Sequence, residues 1–179
     1  DNISAFGGVL ASTQTIDLAA AEEINKLFFE ILAAPDFDPD ALNLLKSRKN
    51  RILLKQNGLI TGITVFKSLL NGYLMQDKDL KVDSEADLKY VTKRKPTLEE
   101  IESLLFASKV CKHTKSNTIV LARKGQLIAS GVGQTSRVNA LNQAVAKAGH
   151  FGLSFEGAVM ASDAFFPFAD CVEIADKAG

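Results

Sequence analysis

Hydrophobic and polar positions along this chain repeat with two periods, and the switches between them mark out the elements. Val9 to Ala11, following Gly7-Gly8, reads as the end of a strand. Asp17 predicts a helix N-cap, because its carboxylate can accept from the free N–H groups of a first turn. Leu18, Ala21, Ile24 and Phe28 then share one face of a helix predicted over 18–28. Phe29 to Ala34 reads as a strand that Pro35 ends. Asp38 and Pro39 predict another helix start, with Pro at the first helical position, running through Leu45. Arg51 to Lys55 is a short strand with basic flanks. Strands alternating with helices predict an α/β fold.

Ile63 to Leu70 and Tyr73 to Met75 are candidate strands, and the charged run from Asp77 to Lys89 reads as an exposed connection. The softest domain boundary is expected there. Thr97 and Glu100 form a capping box, each side chain satisfying the other's backbone N–H. The helix that follows is predicted to bury Leu98, Ile101, Leu105, Ser108 and Cys111, widened by Phe106 and Val110. Thr118 to Arg123 and Gln126 to Val132 flank Lys124-Gly125, which predicts a hairpin with a two-residue turn. A helix burying Val138, Leu141, Val145 and Ala148 comes next, then an apolar strand from Gly157 to Ser162 and a last helix from Asp170.

Composition narrows the function classes. The 179 residues carry 21 basic and 21 acidic side chains and are 46% hydrophobic, enough to build a core. That balance argues against general nucleic-acid binding, which shows a basic excess. Apolar runs fall short of the ~20 residues that span a membrane, so no membrane association is expected. Cys111 and Cys171 make neither a metal spacing nor a disulfide framework, so idle thiols in a cytoplasmic protein are expected.

Three places can carry chemistry. Asn117 precedes a strand whose partner exits through Gly131 and Gly133 into Thr135-Ser136-Arg137 at a helix start. Glycines admit a ligand to the backbone, a helix N-terminus favours an anion, and an Arg offers two parallel donors. The same residues also suit a plain hairpin-to-helix turn with a surface Arg. Phe165-Phe166-Pro167-Phe168 follows a buried strand, and an exposed Phe there would stack on a flat heterocycle, whereas a buried one would only fill core. Asp163 and Asp170 bracket that turn, either to bond ring nitrogens or to cap a helix. His113 and His150 have no partner placed by sequence and read as helix-end residues.

Lys115-Ser116-Asn117-Thr118-Ile119-Val120, Gly131-Val132-Gly133-Gln134-Thr135-Ser136-Arg137 and Val159 through Asp170, in that order, resemble the AICAR transformylase part of the bifunctional purine biosynthesis proteins. In that family a phosphoribosylaminoimidazolecarboxamide formyltransferase is joined to an IMP cyclohydrolase. Ser4-Ala5-Phe6-Gly7-Gly8, Ala33-Ala34-Pro35, Asn71 to Asp77 and Val91 to Arg94 extend the resemblance over nearly the whole chain. It implies a cytidine-deaminase-like, three-layer α/β architecture present twice. Residues 1–90 would be the remainder of the first such domain, and 91–179 a connecting helix and the start of the second. It implies a homodimer that transfers a formyl group from 10-formyltetrahydrofolate to the AICAR nucleotide, with no metal. By resemblance, the nucleotide contacts fall on Gly7, Glu30, Asn117 and Arg137, and the folate contacts on Val138, Phe165 and Asp170.

The family moves its proton with a Lys-His pair in a Lys-His-x-x-Pro context, which this sequence lacks; Lys112-His113 occupies a different part of the pattern. The chain is therefore expected to be a piece of a longer enzyme and inactive by itself. Ala169 stands where the family often carries Arg. Two other readings are a zinc deaminase, which would need a Pro-Cys-x-x-Cys pair that Cys111 and Cys171 do not supply, and a non-catalytic structural or dimerisation module.

Overall fold

A computed structural model describes residues 6–58 and 62–179, so Ser4 and Ala5 of the opening motif lie outside the described residues. The fold is α/β, and the chain divides into two compact units, Asp1–Asp79 and Leu80–Gly179.

In the first unit β1 (Phe6–Ala11), α1 (Leu18–Asn25), β2 (Phe28–Ala34), α2 (Pro39–Lys46) and β3 (Ile52–Lys55) follow in order. The three strands form a parallel sheet in the order β1-β2-β3. Parallel neighbours need a crossover, and α1 and α2 supply one each. Ala21, Ala41 and Leu45 from the helices meet Phe29, Leu32 and Ala34 of β2 in one core. Asp17 caps α1 as its position predicts, with Oδ1 accepting from the Ala20 N–H at 2.8 Å. Asp38 stands at the N-cap of α2 but its side chain makes no capping bond; Pro39 sets that start through its fixed φ. The predicted extension of α1 to Phe28 fails. The helix ends at Asn25, and Phe28 opens β2 opposite Phe6, their ring centroids 4.4 Å apart. No Gly or Pro punctuates that stretch; pairing with β1 ends the helix, a signal that lies distant in sequence.

β4 (Thr64–Leu69) and β5 (Gly72–Asp77) form an antiparallel hairpin in which Phe66 meets Tyr73 edge to face at 5.6 Å. Val65, Phe66, Leu69, Tyr73, Leu74 and Met75 are all exposed, and Leu70 at the turn is 99% exposed.

The second unit begins with an extended stretch and one short 3₁₀ turn at Glu85–Asp87. It continues with α3 (Leu98–Lys112), β6 (Ile119–Arg123), β7 (Gln126–Gly131), α4 (Arg137–His150), β8 (Val159–Ser162) and α5 (Asp170–Ala178). β6 is central and antiparallel to both neighbours, in the order β7-β6-β8. Its alternate residues serve two cores. Ile119 and Leu121 pack with Leu141, Ala144 and Cys171 of α4 and α5, while Val120 and Ala122 pack with Ala107 and Cys111 of α3. The unit is thus layered as helix, sheet, helix, and β6 is buried on both faces.

Both halves of the Thr97–Glu100 capping box form. The Thr97 hydroxyl accepts from the Glu100 N–H at 3.2 Å, and Glu100 Oε2 accepts from the Thr97 N–H at 2.7 Å. The predicted buried face of α3 is wrong in part: Leu98 is 76% exposed and Ser103 and Ala107 are buried instead. The helix approaches β6 through the four-residue row Ser103, Ala107, Cys111, because small side chains permit close contact with the sheet, while Leu105, Phe106 and Val110 stand half-buried at the flanks. Ser103 is matched there, its hydroxyl accepting from the Lys124 N–H at 3.0 Å. The Lys124-Gly125 turn has φ of 49° and 72°, the two left-handed residues of a type I′ hairpin.

Candidate functional site

The antiparallel order of the second sheet brings three strand ends to one place: the start of β6 and the ends of β7 and β8, where Ile119 pairs with both Gly131 and Ser162. The first turn of α4 begins beside it. Ser136 caps that helix, its hydroxyl accepting from the Asn139 N–H at 3.1 Å, and Arg137 is the first helical residue.

Gly131 makes the arrangement possible. A Cβ built on it would lie 1.9 Å from the Ala140 carbonyl oxygen, so only a bare Cα lets β7 approach α4 this closely. Gly133, at φ 68°, then turns the chain. Asn117 lies across from this exit. Its N–H and its side-chain amide both donate to the Gln134 carbonyl, at 3.1 and 3.0 Å, and its own carbonyl accepts from the Gln134 N–H at 3.2 Å.

Asp163, just past β8, ties these parts together. It accepts from the Ser116 hydroxyl and, at 3.1 Å, from the Thr118 N–H. Its Oδ1 lies 3.6 Å from Arg137 Nη2, in a pair whose side chains are 23% (Arg137) and 15% (Asp163) exposed. Burial raises the Asp163 pKa, but the Ser116 hydroxyl, the Thr118 N–H and the Arg137 charge outweigh it and hold the carboxyl below its ordinary value. Arg137 Nε is buried and has no hydrogen-bond partner. A buried guanidinium N–H left unmatched costs about 1–3 kcal/mol, which an incoming acceptor oxygen would remove.

The other expected residues fall in definite places. Val138 follows Arg137 on α4 and packs at the edge of the core. Phe166 also packs on that core, whereas Phe165 is 81% exposed and Phe168 is exposed beside it. Asp170 opens α5, and its Oδ1 accepts from the Cys171 N–H at 2.7 Å. In the first unit, Gly7 and Glu30 are brought together. Gly7 sits at an irregularity in the β1–β2 register with φ 73°, and a Cβ there would come within 3.3 Å of Glu30 Oε1.

From sequence Asp163 offers only a ring contact or a cap; its links to Ser116, Thr118 and Arg137 have no local signal. Ser116 lies 47 positions away, and only the strand pairing brings the two together. His113 caps the end of α3 and His150 is the last residue of α4. Burial, reinforced by the Asp163 charge, pushes the Cys111 thiol up to about 11, and burial raises Cys171 too, so neither is a nucleophile near neutral pH. Among the described residues no group of three His, Cys, Asp or Glu side chains is placed to hold a metal ion, and no helix is long and apolar enough to cross a membrane.

The chain is similar to known proteins over its whole length. The whole chain is 60% identical to a bifunctional purine biosynthesis protein PurH of Bacteroides thetaiotaomicron, covering 35% of that protein. It is 44% identical to the PurH of Chlorobium phaeobacteroides and 45% identical to that of Aquifex aeolicus, covering 34% and 35% of them. The chain therefore spans about a third of the length of these curated relatives. A family model described as AICARFT/IMPCHase bienzyme matches residues 1–147. With that match across most of its length, the chain belongs to the AICARFT/IMPCHase bienzyme family.

Proposed function

We propose that these residues grip the substrates of a formyl transfer from 10-formyltetrahydrofolate to the AICAR nucleotide, a step of de novo purine biosynthesis in the cytoplasm. The observation that carries this reading is Arg137, whose buried Nε has no partner, at the first turn of α4 and joined through Asp163 to the residues on either side of Asn117. A helix start and a guanidinium together suit an anionic group of the nucleotide. By family resemblance Gly7 and Glu30, which lie together on β1 and β2, are also nucleotide contacts. Val138, Phe165 and Asp170 form the folate side, with the exposed Phe165 ring available to stack on a flat heterocycle.

In the reaction the nucleotide's amine nitrogen bonds to the formyl carbon, the bond from that carbon to the folate nitrogen breaks, and the folate nitrogen ends with a proton. An aromatic amine is a weak nucleophile, so orientation and proton handling decide the rate. By family resemblance the proton falls to a Lys-His pair that is not among these residues, and the 179-residue chain alone does not turn over. The parent is a homodimer that also carries the cyclohydrolase activity. Its two deaminase-like domains contribute here the remainder of the first, within residues 1–90, and from 91 a connecting helix and the start of the second. The helix–sheet–helix layering of the second unit supports that architecture.

The test uses the protein at the full length of its relatives. Arg137→Ala and Asn117→Ala should each weaken nucleotide binding, measured by calorimetry, by about tenfold or more. Unchanged affinity in both variants rejects the site. The exposed apolar hairpin favours a second reading, in which this part of the chain serves assembly rather than catalysis; full catalysis by a full-length protein lacking both Asn117 and Arg137 side chains would favour it.

A further inference from the structure

The Asp163 carboxylate poses a problem for an anion site. A negative charge 3.6 Å from the guanidinium that is to hold an anion should weaken that site by simple Coulomb repulsion. Yet Asp163 is held in place from two directions, by the Ser116 hydroxyl and the Thr118 N–H, on either side of Asn117. The link runs both ways along the backbone, since the Asp163 N–H donates to the Thr118 carbonyl at 3.4 Å. Thr118 is itself buried, and its hydroxyl donates to the Gly131 carbonyl at 3.0 Å. One carboxylate thus connects the β6 start, the β8 end and the α4 start, and through Thr118 the β7 end.

What such a link can do follows from the cost of ordering an arginine. A free guanidinium on its flexible stem loses rotamer entropy when a ligand fixes it. A carboxylate that already engages one edge of the fork removes much of that loss. Here the engaged atom is Nη2, and the buried Nε is left unmatched.

We propose that Asp163 is a positioning residue: anchored by Ser116 and Thr118, it pre-orders Arg137 so that the guanidinium faces the nucleotide in one fixed arrangement. This rests on the reading of Arg137 as a nucleotide contact. Asp163 itself touches no substrate; its effect passes through Arg137.

A double-mutant cycle in the full-length protein tests this, with the AICAR nucleotide and a folate analogue as separate probes in calorimetry. Asp163→Asn keeps the shape and an acceptor for the Thr118 N–H and removes the charge that engages Arg137. It should weaken nucleotide binding about tenfold while leaving folate-analogue affinity within about twofold. In the Arg137→Ala background the same change should alter nucleotide affinity by less than about twofold, because the group it acts through is gone. Ser116→Ala, which loosens Asp163 without removing its charge, should give a smaller loss that also vanishes in that background. It stands in if Asp163→Asn lowers the melting temperature markedly. Tighter or unchanged nucleotide binding in Asp163→Asn, with Arg137→Ala weakened, overturns the positioning role alone, as do equal losses in both backgrounds. Unchanged affinity in Arg137→Ala overturns the nucleotide contact, and the positioning role with it.

Discussion

At the scale of single residues, the second unit depends on contacts that tolerate no substitution of size. Gly131 is the sharpest case, since a methyl group there would overlap the Ala140 carbonyl, a backbone atom that cannot swing aside. Gly131→Ala should therefore cost about 3 kcal/mol, read as a fall in the urea midpoint with an unchanged slope. The glycine-spaced exit was visible in the sequence as a place for close approach, but sequence pointed to a ligand as what approaches. The structure shows helix α4 doing so at Gly131, which leaves Gly133 as the residue that needs a positive φ. Asp163 was visible only as a neighbour of the aromatic turn. Its partners lie on β6 and α4, and nothing local in the sequence announces them.

At the scale of elements, local chemistry predicted well and burial predicted less well. The starts of α1, α3 and α4 follow from Asp17, Thr97 and Ser136, each of which bonds the N–H three residues on. Thr97→Ala should cost about 1 kcal/mol and raise fraying of α3 at its first turn, measurable by amide exchange at Glu100 and Ile101. The nearby Arg94–Glu100 pair is exposed, so Arg94→Ala should change stability far less than the loss of the cap. The buried face of α3 was harder to read. Hydrophobic periodicity weights large side chains, whereas a helix lying close on a sheet buries its small ones, Ser103 and Ala107. The end of α1 was also hidden, because parallel pairing of β2 with β1, not a stop residue, ends it.

For the whole molecule, each unit has its own core. The first gathers Phe29, Leu32, Ala41 and Leu45, and the second gathers Ile119, Leu121, Leu141 and Cys171 on one face of its sheet. Leu45 is fully buried, so Leu45→Ala should cost about 2–5 kcal/mol. That loss should appear as faster hydrogen exchange in β2 and α2, while β6 and β7 exchange as before; equal acceleration in both units would show that they unfold as one. The α/β class and most element positions followed from the sequence, which expects its softest boundary within Asp77–Lys89; the structure divides the units after Asp79.

The β4–β5 ladder has one more consequence. Among the described residues it has no third strand, so each outer edge presents unpaired N–H and C=O groups flanked by apolar side chains. Such an edge templates amyloid-like stacking unless a charge interrupts it. Lys67 is the only charged side chain inside the ladder, since Asp77 sits at its last pair. It acts as a gatekeeper. Lys67→Val would leave the fold of both units alone and lower the concentration at which the chain begins to scatter light, making aggregation rather than unfolding the limit on its useful lifetime.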